Sequence, residues 1–114
     1  MNAQTDSHFS VSDDLLPKIK AGVYDLAYVE HETVSEPLTP GDRVELGFTV
    51  DGDIVREYLW VRVFAQLHDG KAYLGSLEAS PVIIEALSKG DQVTFLPRHI
   101  IKYKKASFFR GGFA

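Results

Sequence analysis

The sequence predicts an α+β fold in which β dominates, a small twisted antiparallel sheet or partly open barrel with one or two short helices. Three observations predict it. From Glu57 to Leu67 the side chains alternate strictly, with Leu59, Val61, Val63, Ala65 and Leu67 on one face and Tyr58, Trp60, Arg62, Phe64 and Gln66 on the other, the period-two signature of a strand. An Asp-Gly pair stands near each end of this run, Asp51-Gly52 and Asp69-Gly70, and such pairs accept the positive φ of a tight hairpin turn. The 114 residues are 45% hydrophobic and 25% charged, a composition that buries a core, and their number suits a single domain over 1–114.

Met1 to Ser10 is polar and reads as a mobile lead-in. Ser12 can cap a short helix through Asp13, Leu15, Leu16 and Ile19 that stops at Gly22, with Pro17 limiting its length. Val23 to Glu30 is a strand, His31 to Pro40 a loop with two prolines, and Gly41-Asp42 starts a half-buried strand from Arg43 to Val50. If Asp51-Gly52 is the whole loop, Val44 faces Leu59, Phe48 faces Val55, and Glu57 falls opposite Leu46, where a carboxylate needs a partner, a bulge or an edge.

Asp69-Gly70 sets the second hairpin, placing Leu67 opposite Ala72, Ala65 opposite Leu74 and Gln66 opposite Tyr73, with Phe64 lying over Gly75. Ser80 and Pro81 then read as the cap and first residue of a short helix that ends before Gly90, its apolar face Val82, Ile83, Ala86 and Leu87. A strand from Gln92 to Leu96, a Pro97-Arg98 corner and a last strand from Ile100 to Tyr103 come next, leaving 106–114 as a tail. Leu38 to Leu46 echoes Leu87 to Phe95, a Gly-Asp turn used twice to start a strand.

The order of features from about Val44 to Ile101 resembles the bacterial family known as domain of unknown function 2314. The matching positions are Glu57, Trp60, Val61, Gly75, Leu77, Pro81, Leu87, Gly90, Asp91, Val93, Phe95 and Ile101, and the family's closing Asp-Trp is Lys102-Tyr103 in this chain. The resemblance implies a small β-dominated domain and carries no established activity.

Composition narrows the function classes. Without cysteine there is no disulfide framework, thiolate metal site or cysteine nucleophile. No apolar stretch approaches the roughly 18 residues that cross a bilayer, and the start lacks a secretory pattern, so a cytoplasmic protein is expected. His8, His31, His68 and His99 have no zinc spacing and read as solvated loop residues, and neither a nucleophile elbow nor a phosphate-binding glycine loop is present. No cofactor, metal or catalytic constellation is expected. Glu57, beside aromatic residues, stands out as a possible buried acid with a raised pKa.

Two groups suit binding. Tyr58, Trp60, Arg62, Phe64 and Tyr73 form an aromatic and cationic face of the kind that dominates interfaces or stacks on bases, unless a helix or second sheet wall covers it as core. The net charge is −4, yet residues 58–114 carry eight Lys/Arg against four Asp/Glu. Lys102, Tyr103, Lys104, Lys105, Phe108, Phe109 and Arg110 interleave cations with aromatics near the end, a pattern suited to phosphates and bases or to a docked terminal strand. The expectation is a binding module whose partner is another protein or a second copy of the chain, with nucleic acid as the alternative.

Overall fold

A computed structural model describes residues 11–18, 20–50 and 54–106. Six strands, β1 (Asp25–Leu26), β2 (Arg43–Thr49), β3 (Val55–Leu67), β4 (Ala72–Leu77), β5 (Gln92–Phe95) and β6 (Ile100–Lys104), form one antiparallel sheet. β3 lies between β2 and β4, and β5 lies beyond β4. On its other side β2 pairs with β6 along Arg43 to Leu46 and with β1 at Phe48 and Thr49. A 3-10 turn, Pro97–His99, separates β5 from β6, so one bent segment serves strands at opposite ends of the sheet and curls it into a half-barrel.

The concave side holds the core. Leu38, Val44, Leu46, Phe48, Val61, Val63, Val93, Phe95 and Ile100 are all fully buried there. Leu59, Val61 and Val63 share this surface with Val44 and Phe48 as the alternation predicts, but the register differs: Val44 faces Val61 and Leu46 faces Leu59. The connection after Thr49 is longer than two residues, with Val55 opposite Thr49 and a bulge that leaves Arg56 without a ladder partner. An even slip preserves the faces, which is why the core set is right while the pairs are not. The Asp51-Gly52 turn itself lies outside the described residues.

The second hairpin agrees with the sequence at its tip and departs from it below. Asp69 has φ 57 and ψ 41, Gly70 has φ 85, and Lys71 N–H donates to the His68 carbonyl at 3.2 Å, the geometry of a type I′ turn. Leu67 faces Ala72 and Ala65 faces Leu74 as expected, but Val63 faces Gly75 rather than Ser76, so Phe64 is a bulged residue and does not cover Gly75. The bulge accompanies a close approach of β3 to that glycine. A Cβ there would sit 2.5 Å from Val61 Cγ1 and 2.6 Å from the Arg62 carbonyl oxygen. Beyond the bulge the faces exchange: Leu67 leaves the main core and packs with Val11, Leu16, Ala72 and Leu96 on the outer side.

The repeated Gly-Asp segment is the same device twice. Asp42 Oδ2 accepts from Thr39 N–H and Asp91 Oδ2 accepts from Ser88 N–H, both at 2.8 Å, while Gly41 and Gly90 sit at φ 97 and 92, where glycine is unstrained. Each glycine N–H donates to a neighbouring strand, Gly41 to Val63 at 2.8 Å and Gly90 to Leu77 at 2.9 Å. Leu38 and Leu87 are buried ahead of the two turns and Val44 and Val93 after them.

The two expected helices do not form. Ser12 Oγ does accept from Asp14 N–H at 3.1 Å, but the turn it caps is the three-residue 3-10 segment Asp13–Leu15. From Ser80 to Ser88 the chain is bends and turns that bury Ile84 and Leu87 and leave Val82 and Ile83 exposed. Glu57 holds this second segment in place. Its carboxylate accepts from Val82 N–H at 2.7 Å, Ile83 N–H at 3.0 Å and Ile84 N–H at 3.1 Å, so a neighbouring strand supplies the acceptors that a Ser80 cap was expected to supply.

Candidate binding surface

Among the described residues, the convex side of the sheet is divided between a closed half and an open half. Over β4 and β5, residues 11–18 form the cover: Val11 and Leu16 pack on Ala72 and Leu96, and Thr94 Oγ1 donates to the Pro17 carbonyl at 2.5 Å. Over β2, β3 and β6, the outward residues are Arg43 and Glu45, Tyr58, Trp60, Arg62 and Phe64, and Lys102 and Lys104. Tyr58 is 58% exposed and Phe64 41% exposed, Trp60 is half-buried, and Arg62, Lys102 and Lys104 are exposed. A helix or a second sheet wall was the alternative cover for this aromatic face; residues 11–18 pack instead with Leu67, Ala72 and Leu96 on the neighbouring strands.

Cross-strand register builds this surface. Trp60 stands opposite Glu45, Glu45 opposite Lys102, Arg43 opposite both Arg62 and Lys104, and Tyr58 opposite Gly47. Lys104 Nζ lies 5.2 Å from the Trp60 ring centroid, within cation–π range. Glu78 Oε1 accepts from Arg43 Nε at 2.7 Å, and its Oε2 is 3.6 Å from Arg62 Nε. One carboxylate thus fixes two guanidinium groups while each remains about half exposed or more. Four cations and two carboxylates surround Trp60, in a chain with twelve Lys/Arg and sixteen Asp/Glu, so positive charge is gathered here against the overall balance.

Other residues singled out in the sequence serve the fold. Tyr73 belongs to the core, 3% exposed, 5.7 Å from Phe95 between ring centroids, its hydroxyl accepting from Leu38 N–H at 3.2 Å. The bulge is the reason: it puts Tyr73 on the concave side with Gly75 and Leu77. Tyr103 is half-buried against the core. Lys105 donates to Asp42 Oδ2 at 2.8 Å and to the Pro37 carbonyl at 3.2 Å, and Ala106 N–H donates to Asp42 Oδ1 at 2.8 Å. Ala106 is therefore part of the fold rather than of the tail. Phe108, Phe109 and Arg110, and the polar lead-in 1–10, lie outside the described residues.

Glu57 does not have the raised pKa expected of a buried acid. Desolvation pushes its pKa up, but the N–H groups of Val82, Ile84 and Ile83 outweigh it and hold the carboxyl below 4.5. The histidine that sequence reasoning placed in a solvated loop is instead buried: His99 is 0% exposed, and its Nδ1 accepts from Leu96 N–H at 2.9 Å. Desolvation pulls its pKa down to about 4, against the pull of Asp13, whose Oδ1 lies 3.5 Å from Nε2. The signal available in the sequence was the Pro97-Arg98-His99 corner between two apolar strands.

A groove of about 510 Å³ opens beside β1, lined by Asp13, Asp14, Lys18, Asp25 and Tyr28 among others. Its polar groups are largely engaged with one another. Tyr28 Oη donates to Asp13 Oδ2 at 2.8 Å and its ring stacks on His99 at 4.8 Å, while Lys18 lies 3.4 Å from Asp25. These contacts anchor residues 11–18 over the sheet. No protein-family model, curated protein or solved structure matches this chain.

Proposed function

We propose that this protein is a binding module whose working surface is the open convex face of β2, β3 and β6, and that its partner is anionic. The observation that supports this reading is the outward row of exposed Tyr58, Arg62 and Phe64 and half-buried Trp60, flanked by Lys102 and Lys104, next to a half of the same sheet that the described residues close. Aromatic and arginine side chains on a rigid strand lose little conformational freedom on binding. The cations around them favour a negatively charged partner and speed its approach. An acidic surface of another protein fits this description, as does a nucleic acid. The likeness to domain of unknown function 2314 and a cytoplasmic setting belong to the same proposal. No helix among the described residues is long and apolar enough to cross a membrane.

Titration of isotope-labelled protein with two soluble polyanions, a short oligonucleotide and polyglutamate, tests the location. At least one should shift the Trp60 indole N–H and the amides of Arg62, Lys102 and Lys104, leaving Asp13 and Asp25 in place. Shifts confined to the groove beside β1, or none with either polyanion, would overturn the reading.

A further inference from the structure

The open face carries more than charge, and resting on the reading above we infer that its partner is single-stranded nucleic acid, bound with bases stacked on Tyr58 and Trp60 and phosphates against Arg62, Lys102 and Lys104. Residues two apart on a strand project from the same face, roughly 6.6 Å apart, so Tyr58, Trp60, Arg62 and the bulged Phe64 form an outward row on β3. Such a row can take successive unpaired bases, because every base offers an apolar π-face. A duplex keeps its bases stacked inside and would leave the rings uncovered.

The placement of cations supports the same ligand. β6 lies on the far side of β2 from β3, and Lys102 and Lys104 align with Glu45 and Arg43, which in turn align with Trp60 and Arg62. Cations therefore stand to one side of the aromatic row, with Lys104 Nζ 5.2 Å from the Trp60 ring centroid. A strand whose bases lie on the row has its phosphates within reach of that cationic border. Glu78 holds Arg43 and Arg62 at 2.7 and 3.6 Å and keeps their planar groups oriented. An acidic peptide would satisfy the cations but would not need the exposed rings.

Trp60 is the protein's only tryptophan, so the wild-type chain reports on its own site. The experiment titrates the full chain with an eight-nucleotide oligothymidylate and monitors tryptophan fluorescence, with polyglutamate and a blunt DNA duplex of matched charge as comparison ligands. Oligothymidylate should quench Trp60, and its affinity should fall with salt at a logarithmic slope between about −1.4 and −2.8, for two to four phosphate contacts on a single strand. Tyr58→Ala, at an exposed position, should weaken binding about fivefold or more, and the double variant Lys102→Ala with Lys104→Ala should reduce the salt slope; both should keep the wild-type melting temperature within a few degrees.

Absence of quenching by oligothymidylate at millimolar concentration overturns the inference. If polyglutamate still shifts the face in that case, the binding surface stands and the partner is an acidic protein; if neither ligand does, both readings fall. Binding that ignores Tyr58→Ala and the double lysine variant places the site elsewhere and also overturns it, as does a duplex that binds as tightly as the single strand.

Discussion

Gly75 shows how one missing side chain shapes this surface. Its bare backbone admits Val61 and the Arg62 carbonyl at distances no Cβ would allow, and the same close approach accompanies the bulge at Phe64. Gly75→Ala should therefore destabilise by about 2–3 kcal/mol through overpacking against backbone, measured by urea denaturation. Phe64→Ala, by contrast, removes a ring that is 41% exposed at a bulged position, so it should cost less stability than Gly75→Ala in the same denaturation. Glu57 is a residue whose value is structural: Glu57→Ala strips three N–H groups of their acceptor. The expected cost is about 1–2 kcal/mol, with faster amide exchange at Val82 to Ile84 as the local readout. Unchanged exchange there would mean that the loop is held by Ile84 and Leu87 alone.

Among the strands, β6 depends on Lys105 and Ala106 just beyond its end. Asp42 is fully buried at the start of β2 and takes its charge compensation from Lys105, with Ala106 and Thr39 adding N–H donors. Desolvation pushes the Asp42 pKa up, and these partners together hold it below 3.8. Truncation after Ala106 should leave the melting temperature near that of the full chain, whereas truncation after Lys104 should cost about 2–3 kcal/mol by leaving a buried carboxylate half-partnered. Equal melting temperatures for the two truncations would show that Lys105 and Ala106 contribute nothing to the latch. The Pro97–His99 turn plays the matching role on the other side, since its His99 accepts the Leu96 N–H and meets Asp13 of the covering segment and Tyr28 just after β1.

For the whole molecule, these buried groups set the response to acid. His99 is held neutral, with a pKa near 4 against 6.5 when unfolded, so below pH 6.5 the unfolded chain binds a proton that the folded one refuses. Stability should be full above about pH 6.5 and fall as pH drops toward 4. Asp13, Arg98, Lys18 and Tyr28 are the charged and titratable groups around it, and Asp13 alone favours the imidazolium. Asp42, Asp91 and Glu57 act lower on the scale. Their folded pKa values lie below 3.8, 3.8 and 4.5, so their contribution is present above those values and lost as pH falls through the depressed ones. Denaturation curves of His99→Gln should lose the slope between pH 6.5 and 4 and keep the steeper loss below it; a wild-type slope in the variant would remove His99 as its source.

What the sequence determined by itself was local. The alternation of Leu59, Val61 and Val63, the type I′ turn at Asp69-Gly70, the doubled Gly-Asp turn, and the strand, corner and strand from Gln92 to Tyr103 depend on near neighbours, and period and turn chemistry report them directly. Only tertiary structure decided the rest. The register of β2 against β3 follows from the longer connection after Thr49 and the bulge at Arg56, and the exchange of Leu67 and Tyr73 between faces follows from the bulge at Phe64 beside Gly75, pairings that no window of sequence contains. The segment after Pro81 is likewise tied at long range, since a carboxylate 25 residues earlier accepts from the N–H groups of Val82, Ile83 and Ile84. The segment 11–18 packs where Leu67 and Ala72 emerge beyond the Phe64 bulge, so the candidate surface was legible as a set of residues, and only the paired and curled sheet decided which of them stand together.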